Sequence, residues 1–141
     1  MEDRIERELL VQAPIERVWR VITEPEYVRQ WLGSRVEIDL RPGGTANFGW
    51  PEEGYDNGWA RVERVDPPHV FAFRWMREVN VPFDPAGANT LVEFTLAADG
   101  DGTRLRLVES GFTEEAHRKD NEGGWDHELA DLAAFLGSGR D

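Results

Sequence analysis

Between Val36 and Ser110 the apolar residues recur at every second position, whereas on both flanks they recur with the period of a helix. Val36 and Ile38 alternate with Glu37 and Asp39, Ala46, Phe48 and Trp50 follow, and Phe71, Phe73 and Trp75 fall on one face. A period of two sends successive side chains to opposite faces of a strand. Turn chemistry divides the stretch at Arg41-Pro42-Gly43-Gly44, at the acidic segment Pro51 to Asn57, at Asp66-Pro67-Pro68 and at Asp99-Gly100-Asp101-Gly102. Proline cannot donate to a ladder, and Asp-Gly is a strong hairpin signal. Six strands result, the last four being Gly58 to Val65, Val70 to Trp75, Thr90 to Ala98 and Thr103 to Ser110. Such a meander is stable only if something covers one of its faces.

The flanks supply the cover. Arg4 to Gln12 reads as a further strand, and Pro14 then suits the first turn of a helix. Ile15, Val18, Trp19 and Ile22 share one face of that helix, with Trp19 as core. Thr23 is the expected cap of a second, short helix with Pro25 near its first turn; it carries Tyr27, Val28 and Trp31 and ends by Gly33. After Gly111, Thr113-Glu114-Glu115 starts a long terminal helix whose Leu129, Leu132 and Leu136 face the sheet at Phe94, Leu96, Leu105 and Leu107. Gly123-Gly124 interrupt it, marking either a close approach or bend at a pocket mouth or a later helix start. The fold class is α+β: about seven antiparallel strands curved around a terminal helix, in the order strand, two short helices, six strands, long helix.

No repeat or linker divides residues 1–141, which we read as one domain able to bury roughly two thirds of its unfolded surface. The 40% hydrophobic content supports a sizeable core, and the net charge of −12 disfavours nucleic acid and anionic membranes as partners. There are no cysteines, hence no disulfide, thiolate nucleophile or thiolate zinc site. His69, His117 and His127 lack metal-ligand spacing, and Asp99 to Gly102 sits in a hairpin rather than a calcium loop. No phosphate, dinucleotide or nucleophile-elbow motif occurs, so no cofactor is expected. The amino terminus has no apolar signal region, and a cytoplasmic location is the expectation.

Several pieces together resemble the START-like (SRPBCC, helix-grip) superfamily, in the branch similar to the C-terminal domain of activators of heat-shock-protein ATPase. They are Ala13-Pro14 with Val18-Trp19, Pro25 with Trp31, Asp39 with Gly43-Gly44, Asp66-Pro67-Pro68, Gly102-Thr103 with Leu105 and Leu107, and Gly124-Trp125 with Leu129 and Leu132. The resemblance implies a sheet gripping the terminal helix, with a pocket between them for an apolar small molecule. It does not fix an activity, because one fold hosts many functions.

Candidate pocket residues are Trp31, Trp50, Phe73, Trp75, Phe83, Trp125 and Leu129, aromatic or apolar groups that serve a ligand cavity and a filled core equally well. Phe83 lies in the long connection from Arg77 to Asn89, a length at which lids occur. Glu109 shares a face with Leu105 and Leu107. There it either anchors a ligand or acts as a general base, or the strand has already emerged into solvent. The leading expectation is a monomeric or homodimeric binder of a hydrophobic or aromatic small molecule, more a binder than an enzyme. The alternatives are a cyclase- or hydrolase-type enzyme using Glu109, and a chaperone-docking protein of the ATPase-activator kind.

Overall fold

The computed structural model describes residues 3–138. Seven antiparallel strands form one sheet: β1 (Arg4–Val11), β2 (Arg35–Ile38), β3 (Thr45–Gly49), β4 (Trp59–Asp66), β5 (Val70–Met76), β6 (Asn89–Asp99) and β7 (Gly102–Ser110), in the spatial order β1-β7-β6-β5-β4-β3-β2. Consecutive strands from β2 to β7 are neighbours, and β1 closes on β7 with Arg4 opposite Ser110 and Val11 opposite Thr103. Helices α1 (Ile15–Thr23) and α2 (Pro25–Val28) carry the chain from one sheet edge to the other, and α3 (Glu115–Gly137) ends the fold. This is the helix-grip arrangement expected from the sequence.

Alternation decides which side chains meet the helices. Phe71 and Phe73 of β5, Val92, Phe94 and Leu96 of β6, and Leu105 and Leu107 of β7 are all buried, and they stand beside one another across the ladder. Leu129, Leu132 and Leu136 of α3 pack on this face, joined by Trp125 and Phe135. The two-residue turn at Gly100-Asp101 lets Asp99 pair with Gly102, with Gly100 at a positive φ of 59° that glycine adopts without strain.

The helix starts differ in detail. Thr23 does not cap α2: its hydroxyl donates back to the Trp19 carbonyl at 2.7 Å, inside the last turn of α1, and Glu24 occupies the N-cap without a side-chain bond. A threonine hydroxyl is free to satisfy a carbonyl four residues earlier, and here that partner wins. Neither a later helix start nor a close approach is found at the paired glycines. α3 runs unbroken through Gly123 and Gly124, and a Cβ built on either would meet nothing within 4 Å.

Candidate functional site

Between the open end of the sheet and the first half of α3 lies a cleft of about 440 Å³. One wall is aromatic, formed by Phe48, Trp50, Tyr55, Trp75 and Trp125. The α3 wall presents His117, Asp120, Asn121, Gly124, Trp125 and Glu128, positions three or four apart and therefore on one helix face. Met76, Arg77 and Val79, at the start of the β5–β6 connection, form the third side. Tyr55 and Val79 keep 49% and 42% of their surface exposed, so the mouth has an apolar lip. Gly124, with no side chain, leaves the middle of the helical wall recessed.

Behind the aromatic wall sits Glu109, with 0% of its surface exposed. The Trp75 Nε1 donates to its Oε2 at 2.8 Å and the Trp125 Nε1 to its Oε1 at 2.8 Å. The Thr90 hydroxyl donates at 2.5 Å and the Asn121 amide at 3.0 and 3.2 Å. A carboxylate has about four acceptor positions, and here four donors from β5, β6 and α3 occupy them. The two indoles so held stack on each other, with ring centroids 5.5 Å apart and 23° between planes. The register explains the convergence. Glu109 pairs with Val92 of β6, Trp75 pairs with Thr90, and α3 crosses above both.

The eight residues selected from sequence therefore separate. Trp50, Trp75 and Trp125 line the cleft. Trp31 does not: it is buried, donates Nε1 to the Val21 carbonyl at 3.0 Å and packs edge-on to Phe94, which makes it a clasp between the small helices and the sheet. Phe73 is wholly buried in the aromatic stack with Phe48 and Phe71, and Leu129 belongs to the sealed half of the α3 stripe. Phe83 lies away from the cleft, under the Arg61 guanidinium at 4.8 Å, on the sheet face opposite the helix. Glu109 neither emerges into solvent nor reaches the cleft, because the indoles that bind it also cover it. Nor does the connection hang free as a lid: Asn80 bonds to Asn57 through N–H to O at 2.8 Å, and Asn57 N–H returns to the Asn80 side chain at 2.9 Å.

Alternation on strands could not reveal the charged members of the wall. Burial pushes the Glu128 carboxyl up to about 7, with Asp131 and Glu53 adding to the rise and His127 opposing it. His117 is held below the usual histidine range by burial first and by Arg77 second, while Glu109 pulls the other way. Arg77 itself forms an ion pair with Glu114. Among the described residues no cluster of side chains suits a metal ion, and no helix is long and apolar enough to cross a membrane.

A family model of activator of Hsp90 ATPase homolog 1-like proteins matches residues 12–137, from the end of β1 to the end of α3. The chain belongs to that family. Among solved structures, protein MLL2253 from Mesorhizobium loti is similar at a TM-score of 0.83 and 23% identity, covering 98% of this chain and 99% of that one. DynU16, a protein in the dynemicin biosynthetic locus, aligns at a TM-score of 0.83 and 24% identity over 99% of this chain and 49% of its own. The Aha1 dimer from Colwellia psychrerythraea gives 0.79 and 18% identity, covering 98% of each chain. At these identities the likeness is one of fold. No curated protein matches the chain significantly. The cleft accordingly belongs to a START-like, AHSA-type fold, the branch that the ordered sequence motifs had indicated.

Proposed function

We propose that this protein binds an apolar or aromatic small molecule in the cleft between sheet and α3. The observation that carries the reading is the aromatic wall of Trp50, Tyr55, Trp75 and Trp125 around about 440 Å³ of open space. Concave, largely apolar sites of a few hundred Å³ with a few polar groups are the usual form of small-molecule sites. The occurrence of a similar fold in a protein of a biosynthetic locus adds weight to a small organic ligand. Catalysis through Glu109 has less support. A general base must come within hydrogen-bond reach of the proton that it removes, and this carboxylate spends its acceptor positions on two indoles, a hydroxyl and an amide.

The test uses the empty space at Gly124. A panel of neutral bicyclic aromatics is titrated into the protein, following tryptophan emission and melting temperature. A ligand at about a hundred times its Kd stabilises by about 2.7 kcal/mol. Gly124→Leu projects a side chain into the cleft without meeting another atom within 4 Å at Cβ, so it leaves the fold intact and abolishes the shift. No shift for any compound, or an undiminished shift in Gly124→Leu, refutes binding in the cleft.

A further inference from the structure

The cleft's charged groups say more than its aromatics about what would occupy it. Glu53 and Glu128 both line the cleft, and Asp120, also lining it, stands one helical turn before Gly124. None of these three carboxyl side chains makes a hydrogen bond or ion pair among the described residues. The cation on the rim, Arg77, is already engaged by Glu114. His117, with burial and Arg77 acting against its protonated form, offers no compensating charge at neutral pH. The cleft thus joins an aromatic wall to unpaired carboxyl groups. Glu128, half-buried and without a partner, is unfavourable as a carboxylate until an opposite charge arrives. The exposed Glu53 and Asp120 add negative charge at the rim, and indole and phenol faces attract cations as well.

We infer that the ligand of this cleft carries a basic nitrogen beside its apolar body, with the ammonium set against Glu128 and Glu53 and the body against the aromatic wall. This inference rests on the binding reading above and specifies its substrate class. The net charge of −12 works in the same direction, since it draws cations toward the molecule and repels organic anions. A carboxylic acid of the same shape would meet Glu53, Asp120 and Glu128 with only Arg77 to receive it, and Arg77 would have to leave Glu114.

Three probes of one shape separate the outcomes: 1-naphthylmethylamine, 1-naphthalenemethanol and 1-naphthoic acid, titrated at pH 8 against the wild type, Glu128→Gln and Gly124→Leu. The expected result is that the amine binds about tenfold more tightly than the alcohol, the acid binding weakest. In Glu128→Gln the amine's advantage shrinks while the alcohol is unaffected. In Gly124→Leu all three lose binding, which separates the cleft from general attraction to an acidic surface. Equal binding of amine and alcohol to the wild type, a preference for the acid, or an amine preference that persists in Gly124→Leu overturns the inference and leaves neutral binding to be judged from the alcohol. Failure of all three probes to bind overturns both readings. Because equal binding or a preference for the acid in the wild type already refutes the inference, misfolding of either variant would not rescue the idea.

Discussion

Glu109 and Glu128 are the same residue type placed within one small region, and their surroundings assign them opposite behaviour. Glu109 is enclosed by donors, so its acceptor capacity is met inside the fold. Glu109→Gln sets an amide N–H₂ where one of those donors points. Replacing a charged acceptor and leaving a buried donor unpaired costs about 2–3 kcal/mol, and differential melting should register it as a drop of several degrees. A melting temperature equal to wild type would mean that these hydrogen bonds contribute nothing. Glu128 lacks such partners and its folded-state pKa is raised from 4.5 to about 7. Between those two values the folded state binds more protons than the unfolded chain, so stability due to this group falls as pH rises from about 4.5 to about 7 and is level above. The groups facing it, Glu53, His127 and Asp131 with Arg77, His117 and Asp120 around the cleft, are all retained when Glu128 alone is replaced. Glu128→Gln should therefore melt above wild type at pH 8, with the gap closing as pH falls toward 4.5. A gap that widened on acidification would contradict the assignment.

At the scale of elements, the terminal helix holds two kinds of stripe in series. Leu129, Leu132 and Leu136 continue backwards through Trp125 to Asn121 and His117, so its second half seals the core and its first half walls a cleft. Glycine in a helix interior is less favourable than alanine by up to about 1 kcal/mol. Gly123→Ala and Gly124→Ala meet no obstacle at Cβ, and each should raise the melting temperature by a few degrees. A fall in either would mean that the backbone there departs from the helix described. The elements themselves were legible in the sequence because period two, proline and Asp-Gly turns, and the leucine spacing are local signals. Glu109 was legible as inward-facing for the same reason, since parity along β7 fixes its face once Leu105 and Leu107 are known to be inside. The directions of Trp31 and Phe83 were not. Whether an aromatic in a turn or a loop meets a cavity, a core or an outer face depends on partners distant in sequence, here the Val21 carbonyl and Arg61. Asp120 and Glu128 were missed because they flank the leucine stripe by one position, where polar residues are ordinary; their spacing of four on either side of Gly124 was the available signal.

For the molecule as a whole, one sheet face carries the aromatic and aliphatic core while the opposite face carries ion pairs such as Arg104 with Glu8 and Asp99, and Arg74 with Glu63. Exposed pairs of this kind contribute little individually. With a net charge of −12, long-range repulsion among acidic groups outweighs them, so raising ionic strength from about 0.01 M to about 0.15 M should increase the melting temperature. A decrease would show that the surface pairs dominate. The stacked indoles of Trp75 and Trp125 also give the molecule an optical signature. Two chromophores at that separation couple their transition dipoles, and the coupling depends on their mutual angle, which Glu109 holds from behind while the cleft lies in front. Near-ultraviolet circular dichroism would then read out anything that enters the cleft and tilts one ring, with no label attached.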